Sequence, residues 1–137
     1  MVDGNSNKSF EQEKLAKVLS NSYSPFSNFK VASCIESETG SFYYGCNVEN
    51  STIGATICAE RTAIVKMISE EGPTAKIKKI YVLSETEEVI SPCGICRQSI
   101  YEFLSVGYDP EVQSFSKGFK TTKTYKLSYL FPEGFKL

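Results

Sequence analysis

No histidine occurs anywhere in the 137 residues. Proton transfer by imidazole is therefore excluded, as is any metal site that uses a ring nitrogen. A tetrahedral zinc site in this chain has to be built from cysteine, with Asp or Glu as the other common ligands, and a general base has to be another side chain. Long apolar runs are also absent. The longest are a few residues, against the roughly 20 needed to cross a bilayer, and the opening stretch MVDGNSNKSF lacks a basic region followed by an apolar one. A cytoplasmic protein with no membrane association is expected. Neither sign of charge dominates: 15 Lys and Arg stand against 16 Asp and Glu, for a net charge of −1. That balance leaves no broad basic stripe to follow a phosphate backbone, so a small substrate is favoured over nucleic acid. The five cysteines are an odd number. In a reducing compartment a Cys-x-x-Cys pair is more naturally a metal or redox site than part of a disulfide framework.

What remains is the composition of an ordinary globular chain, 41% hydrophobic and 12% aromatic, sized for one domain over 1–137. The pattern alternates strands and helices, an α/β arrangement. Ser9 with Gln12 resembles a capping box, and Leu15, Val18 and Leu19 form the apolar face of a first helix ending near Ser20. Phe29, Val31, Ser33 and Ile35 alternate with Lys30, Ala32, Cys34 and Glu36. The turn Glu38-Thr39-Gly40 then leads into a second strand from Ser41 to Cys46. Ala59, Ala63, Ile64, Met67 and Ile68 recur at helical spacing from Cys58 to about Ser69, with Gly72-Pro73 as the stop. A third strand is predicted near Ile80 to Ser84. Pro92 suits a helix start before Cys93, and Ile100, Phe103 and Leu104 give that helix a buried face. Two weaker strands are predicted near Val112 to Phe115 and Thr121 to Lys126.

Both cysteine clusters thus fall at helix N-termini. Cys93 and Cys96, three apart, share one face of a first turn, and Cys58 opens the other helix, so the three thiols can converge on one ion. Three protein ligands leave a fourth zinc position open, the mark of a catalytic rather than a structural site, and Glu60, two residues from the first thiol, is the candidate general base. Three thiolates carry more negative charge than zinc carries positive. The positive ends of the helices lower thiol pKa, and Arg61 and Arg97, each next to a cluster, are placed to donate hydrogen bonds to thiolate.

The runs Cys46-Asn47-Val48-Glu49-Asn50, Cys58-Ala59-Glu60-Arg61-Thr62-Ala63 and Ser91-Pro92-Cys93-Gly94-Ile95-Cys96-Arg97-Gln98 closely resemble the small, all-cysteine class of cytidine deaminases. So do Tyr23-Ser24-Pro25-Phe26-Ser27-Asn28-Phe29 and Leu130-Phe131-Pro132-Glu133-Gly134-Phe135, and the resemblance extends from about Tyr23 to Phe135. It implies a three-layer α/β/α fold around a five-stranded mixed sheet. The implied reaction is zinc-dependent hydrolytic deamination of cytidine and 2′-deoxycytidine to the uridine products, with release of ammonia, in pyrimidine salvage. Cys58, Cys93 and Cys96 match the ligands of one Zn²⁺ per chain, and Glu60 matches the carboxylate that carries protons to the base. Arg61 remains the residue beside the thiolates. Asn47 and Glu49 match residues that bond the ribose 3′-hydroxyl, Phe29 and Phe135 match aromatics lining the base pocket, and the backbone of Ala59 and Ser91 matches groups that read the base edge. A homotetramer is implied as well. The sequence departs from many relatives at Ile53-Gly54, where an aromatic is usual, and at Ala32, where glycine is common.

Each residue also has a plainer reading. Phe29 is otherwise a core strand residue, Phe135 a packing residue, Arg97 equally a surface or subunit contact, and Cys34 and Cys46 small buried hydrophobes. Rival functions are a deaminase of a modified or antibiotic nucleoside, a zinc-stabilised binding module without turnover, and a thiol redox pair at Cys93 and Cys96. The last leaves Cys58 and Glu60 unexplained.

Overall fold

The computed structural model describes residues 9–137. The part of the opening stretch read for a leader pattern that precedes Ser9 lies outside them. In chain order the elements are α1 (Gln12–Ser20), β1 (Val31–Ser37), β2 (Phe42–Cys46), α2 (Ala59–Glu71), β3 (Ile77–Ser84), α3 (Gly94–Glu102), β4 (Glu111–Phe115), β5 (Thr122–Lys126) and α4 (Leu127–Leu130).

The five strands form one sheet in the order β2-β1-β3-β4-β5. β1 pairs antiparallel with both β2 and β3, β3 pairs parallel with β4, and β4 pairs antiparallel with β5, so the sheet is mixed as expected. The alternation in β1 divides its side chains between two covered faces. Val31 and Ile35 join Met67, Ile80, Val82, Ile100, Val112 and Leu127 beneath α2, α3 and α4. Ala32 and Cys34 join Leu15 of α1, Tyr44, Tyr81 and Phe115 on the other side. Cys34 is fully buried, and burial pushes its thiol up to about 12, so it is an inert part of this core.

The first helix starts differently from the sequence expectation. Its N-cap is Glu11, with no side-chain capping bond, so Ser9 and Gln12 form no capping box. Instead the Glu11 N–H donates to the Tyr44 hydroxyl at 3.1 Å, which ties the helix start to β2. The β1–β2 turn runs through Gly40 at φ +91°, a left-handed conformation suited to glycine. Glu71, the last residue of α2, fastens this hairpin. Its Oε2 accepts from Ser37 Oγ at 2.8 Å, Thr39 Oγ1 at 2.8 Å and Tyr43 Oη at 2.6 Å. Gly45 lets α2 lie directly on β2, because a Cβ there would come within 2.7 Å of the Ala63 nitrogen.

β3 begins at Ile77, three residues before the predicted start, because Lys78 and Lys79 interrupt the apolar run yet still pair with β1. α4 was not predicted. At four residues it has no periodicity to read, and it is held by Asp109, whose carboxylate accepts from the Ser128 N–H at 2.9 Å and its hydroxyl at 2.6 Å.

Candidate metal centre

α2 and α3 both begin at a cysteine. Cys58 is the N-cap of α2 and Cys93 the N-cap of α3, each in extended conformation and neither using its side chain to cap. Neither thiol is spent on its own helix end, while the first-turn N–H groups give both ends partial positive charge. Cys96 follows one turn into α3 and is buried; Cys58 is half-buried and Cys93 exposed. The three sulfurs lie within 4.8 Å of one another, with Cys58 Sγ and Cys93 Sγ 3.9 Å apart. Two thiolates bound about 2.3 Å from a tetrahedral zinc stand about 3.8 Å apart, so this spacing fits the ion, and a soft all-sulfur donor set favours zinc over hard cations.

The electrostatics agree with that chemistry. A hydrogen bond shared with Cys96 holds the Cys58 thiol below its ordinary value, against the effect of burial, and Cys93 and the charge and hydrogen bond of Arg61 act in the same direction. The same contact and burial push Cys96 up. Arg61, half-buried one residue beyond Glu60, thus stands where charge on sulfur needs offsetting. Glu60 is 4% exposed. Burial pushes its carboxyl up to about 7, with the charge at Cys58 contributing. A carboxyl near that value both takes and gives protons close to neutrality.

Arg97 does not donate to sulfur. Its three guanidinium bonds go to Pro92 O, Ser91 Oγ and Leu130 O. The sequence placed it beside Cys96 correctly, but the fork turns away toward carbonyls that proximity in sequence does not reveal.

A second group lies alongside the sulfurs. Val48 forms bridges with Tyr23 on one side and with Ile57 on the other, so the Asn47–Glu49 segment runs next to the residue that precedes Cys58. Asn47 is buried; its Nδ2 donates to Phe29 O at 2.8 Å, and its Oδ1 accepts from Val31 N at 3.0 Å and from Ser22 Oγ. Glu49 accepts from the N–H groups of Phe26 at 2.9 Å and Ser27 at 3.1 Å and from the Ser27 hydroxyl, and the Ser27 bond leads in holding its carboxyl below the ordinary range. Phe29 is partly exposed beside this network. Ala59 is fully buried in the first turn of α2, and Ser91 is fixed by Arg97. Phe135 is held on α3 through its carbonyl, which accepts from Gln98 Nε2 at 2.9 Å, and its ring is 65% exposed. Ser22 and Ser27 escaped the sequence reading, because in a Ser-rich turn a hydroxyl carries no signal of its long-range acceptor.

The family model for the cytidine and deoxycytidylate deaminase zinc-binding region matches residues 6–107. The cytidine deaminase of Sporosarcina psychrophila is 44% identical over 89 residues, 65% of this chain and 64% of that protein. That of Mycoplasma pneumoniae is 44% identical over 93 residues, 67% of this chain and 68% of that protein. The match thus spans about two thirds of these relatives' length. Among solved structures, the cytidine deaminase of Burkholderia pseudomallei superposes with a TM-score of 0.77 at 30% identity, covering 92% of this chain and all of that one. The Mycobacterium tuberculosis enzyme superposes at 0.74 and 26% identity, with each chain covered in full.

Proposed function

This chain belongs to the cytidine and deoxycytidylate deaminase zinc-binding family, and on that premise we propose that it hydrolyses cytidine and 2′-deoxycytidine to the uridine products and ammonia, in pyrimidine salvage. The observation that supports this most is one grouping: three sulfurs within 4.8 Å, with the buried Glu60 two residues from one of them.

Cys58, Cys93 and Cys96 hold one Zn²⁺ per chain in this reading. When bound, zinc supplies the Lewis acidity that makes water nucleophilic at neutral pH. Glu60 would take one proton from the attacking water as its oxygen bonds C4 and deliver it to N3 of the pyrimidine; it would then take the second proton from the resulting C4 hydroxyl and pass it to the amino group as the C4–N bond breaks and ammonia leaves. Its burial keeps bulk water from short-circuiting the transfer, and such acid–base help contributes about 10²–10⁴-fold. Arg61 and the two helix ends offset thiolate charge. Backbone groups of Ala59 and Ser91 read the base edge, and Phe29 and Phe135 flank the ring.

Glu49 receives the ribose 3′-hydroxyl. Three donors from the residue 26–27 turn already hold its carboxylate ionised, so it meets the sugar as an acceptor. Asn47 uses its amide oxygen inside the fold, so its contribution to the sugar is its second N–H. A free 3′-hydroxyl is therefore required, which favours nucleosides over polynucleotides. Family membership supports a homotetramer working in the cytoplasm, built from a single domain per chain. A sedimentation mass near four chains is the expected result, and a monomer at assay concentration would contradict it.

The test is loss of cytidine absorbance on adding purified protein, with Glu60→Gln run in parallel. Wild type converts cytidine, and the variant retains zinc but loses at least about 10²-fold in rate. Equal rates would remove Glu60 from the mechanism.

A further inference from the structure

Arg97 lies one turn beyond Cys93, and its backbone N–H donates to Cys93 O at 2.9 Å. Its guanidinium meets three acceptors: Nε donates to Pro92 O at 2.7 Å, Nη2 to Ser91 Oγ at 2.9 Å and Nη1 to Leu130 O at 2.6 Å. Two of these belong to the loop directly ahead of Cys93, and the third is the last residue of α4. A planar fork engaged at three points fixes the relative position of both segments, which the single charge of a lysine does not.

The chain beyond α4 is gripped again by the same helix. Gln98 holds Phe135 O at 2.9 Å, and Tyr101 packs against Phe131 with ring centroids 5.6 Å apart. A Cβ at Gly134 would meet the Phe131 ring at 2.7 Å and Tyr101 at 3.0 Å, so glycine is required for this seat. The helix that carries two of the three sulfurs is therefore braced from behind by the C-terminal segment. Cys93 is the exposed member of the trio and sits at an N-cap with no side-chain capping bond. The position of its sulfur depends on the backbone of residues 91–93, which Arg97 holds.

We infer that Arg97 is a positioning residue for the metal centre, acting through Ser91 and Pro92 on Cys93, and that it makes residues 127–135 part of what retains the ion. The inference rests on the zinc reading above.

The test measures zinc release from the loaded, full-length protein to excess chromophoric chelator. Arg97→Lys is expected to release zinc 10–100-fold faster than wild type, the usual scale for residues that orient ligands. Arg97→Ala does the same, and added guanidinium ion slows its release again. Glu71→Gln, a destabilising change at the far end of α2, stays within about twofold of wild type. Release from Arg97→Lys at the wild-type rate, or equal acceleration in Glu71→Gln, would overturn the inference. Should the Arg97 variants fail to fold, Gly134→Ala leaves the guanidinium in place and lifts the segment it holds. Several-fold faster release supports the inference there, and an unchanged rate defeats it. A wild type that binds no zinc would sink the underlying reading instead, a distinct result because this assay does not depend on turnover.

Discussion

In the proposed mechanism three sulfurs and a carboxyl carry the chemistry, and each stands at the cap or in the opening turns of a helix. Cys58 and Cys93 cap their helices without spending their thiols on the backbone, and Cys96 and Glu60 lie within the turns that follow. Removing one sulfur leaves two, too few to retain the ion tightly. Cys96→Ala is expected to purify without zinc and to melt at lower temperature, because the metal joins two segments far apart in sequence. Full zinc occupancy in that variant, measured by atomic absorption, would show that the three thiols are not the ligand set. The grouping of the three sulfurs was legible in the sequence because such spacing is local to a helix start. The supporting contacts were not. Asn47 meets Ser22, Phe29 and Val31 across 16 to 25 residues of chain. Arg97 turns to a carbonyl 33 residues away, so of the two readings the sequence left open for it, the one facing sulfur does not hold.

Among the elements, the junction of α2 with the β1–β2 hairpin gives the clearest test of stability. Burial alone would raise the Glu71 carboxyl, but bonds from Tyr43, Ser37 and Thr39 together hold it below its ordinary value of 4.5. A carboxylate depressed in the folded state adds stability that is fully present above the unfolded value and disappears as pH falls through the folded one. Glu71→Gln is therefore expected to cost about 1–2 kcal/mol at neutral pH, discounted for partial exposure, and to show a flatter loss of stability below pH 4.5. Urea midpoints measured from neutral to acid pH check this, and parallel curves for the two proteins would rule out the bond. Strand alternation made the hairpin readable, and periodicity did the same for α2. The start of β3 and the whole of α4 were missed because Lys78 masks the first and Asp109, from an adjoining loop, supports the second. The expected cap on α1 gave way to Tyr44, a partner 33 residues distant.

At the scale of the whole molecule, the mixed sheet places α2 and α3 over one face so that their N-termini meet, and α1 seals the other face. Among the described residues no helix is long and apolar enough to cross a membrane. The alternating pattern conveyed the α/β class and the family resemblance a five-stranded mixed sheet, whereas strand order was not read from either, since nothing local states that β1 lies between β2 and β3. The proposed chemistry depends on this convergence, because neither helix alone supplies three sulfurs. The central claim is that the converged, histidine-free centre performs the hydrolysis. The most direct measurement follows cytidine conversion by protein of known zinc content, before chelation, after it, and after zinc is restored. Activity should fall with the zinc and return with it. Undiminished conversion by the metal-free protein, or none by the fully loaded one, would contradict the account.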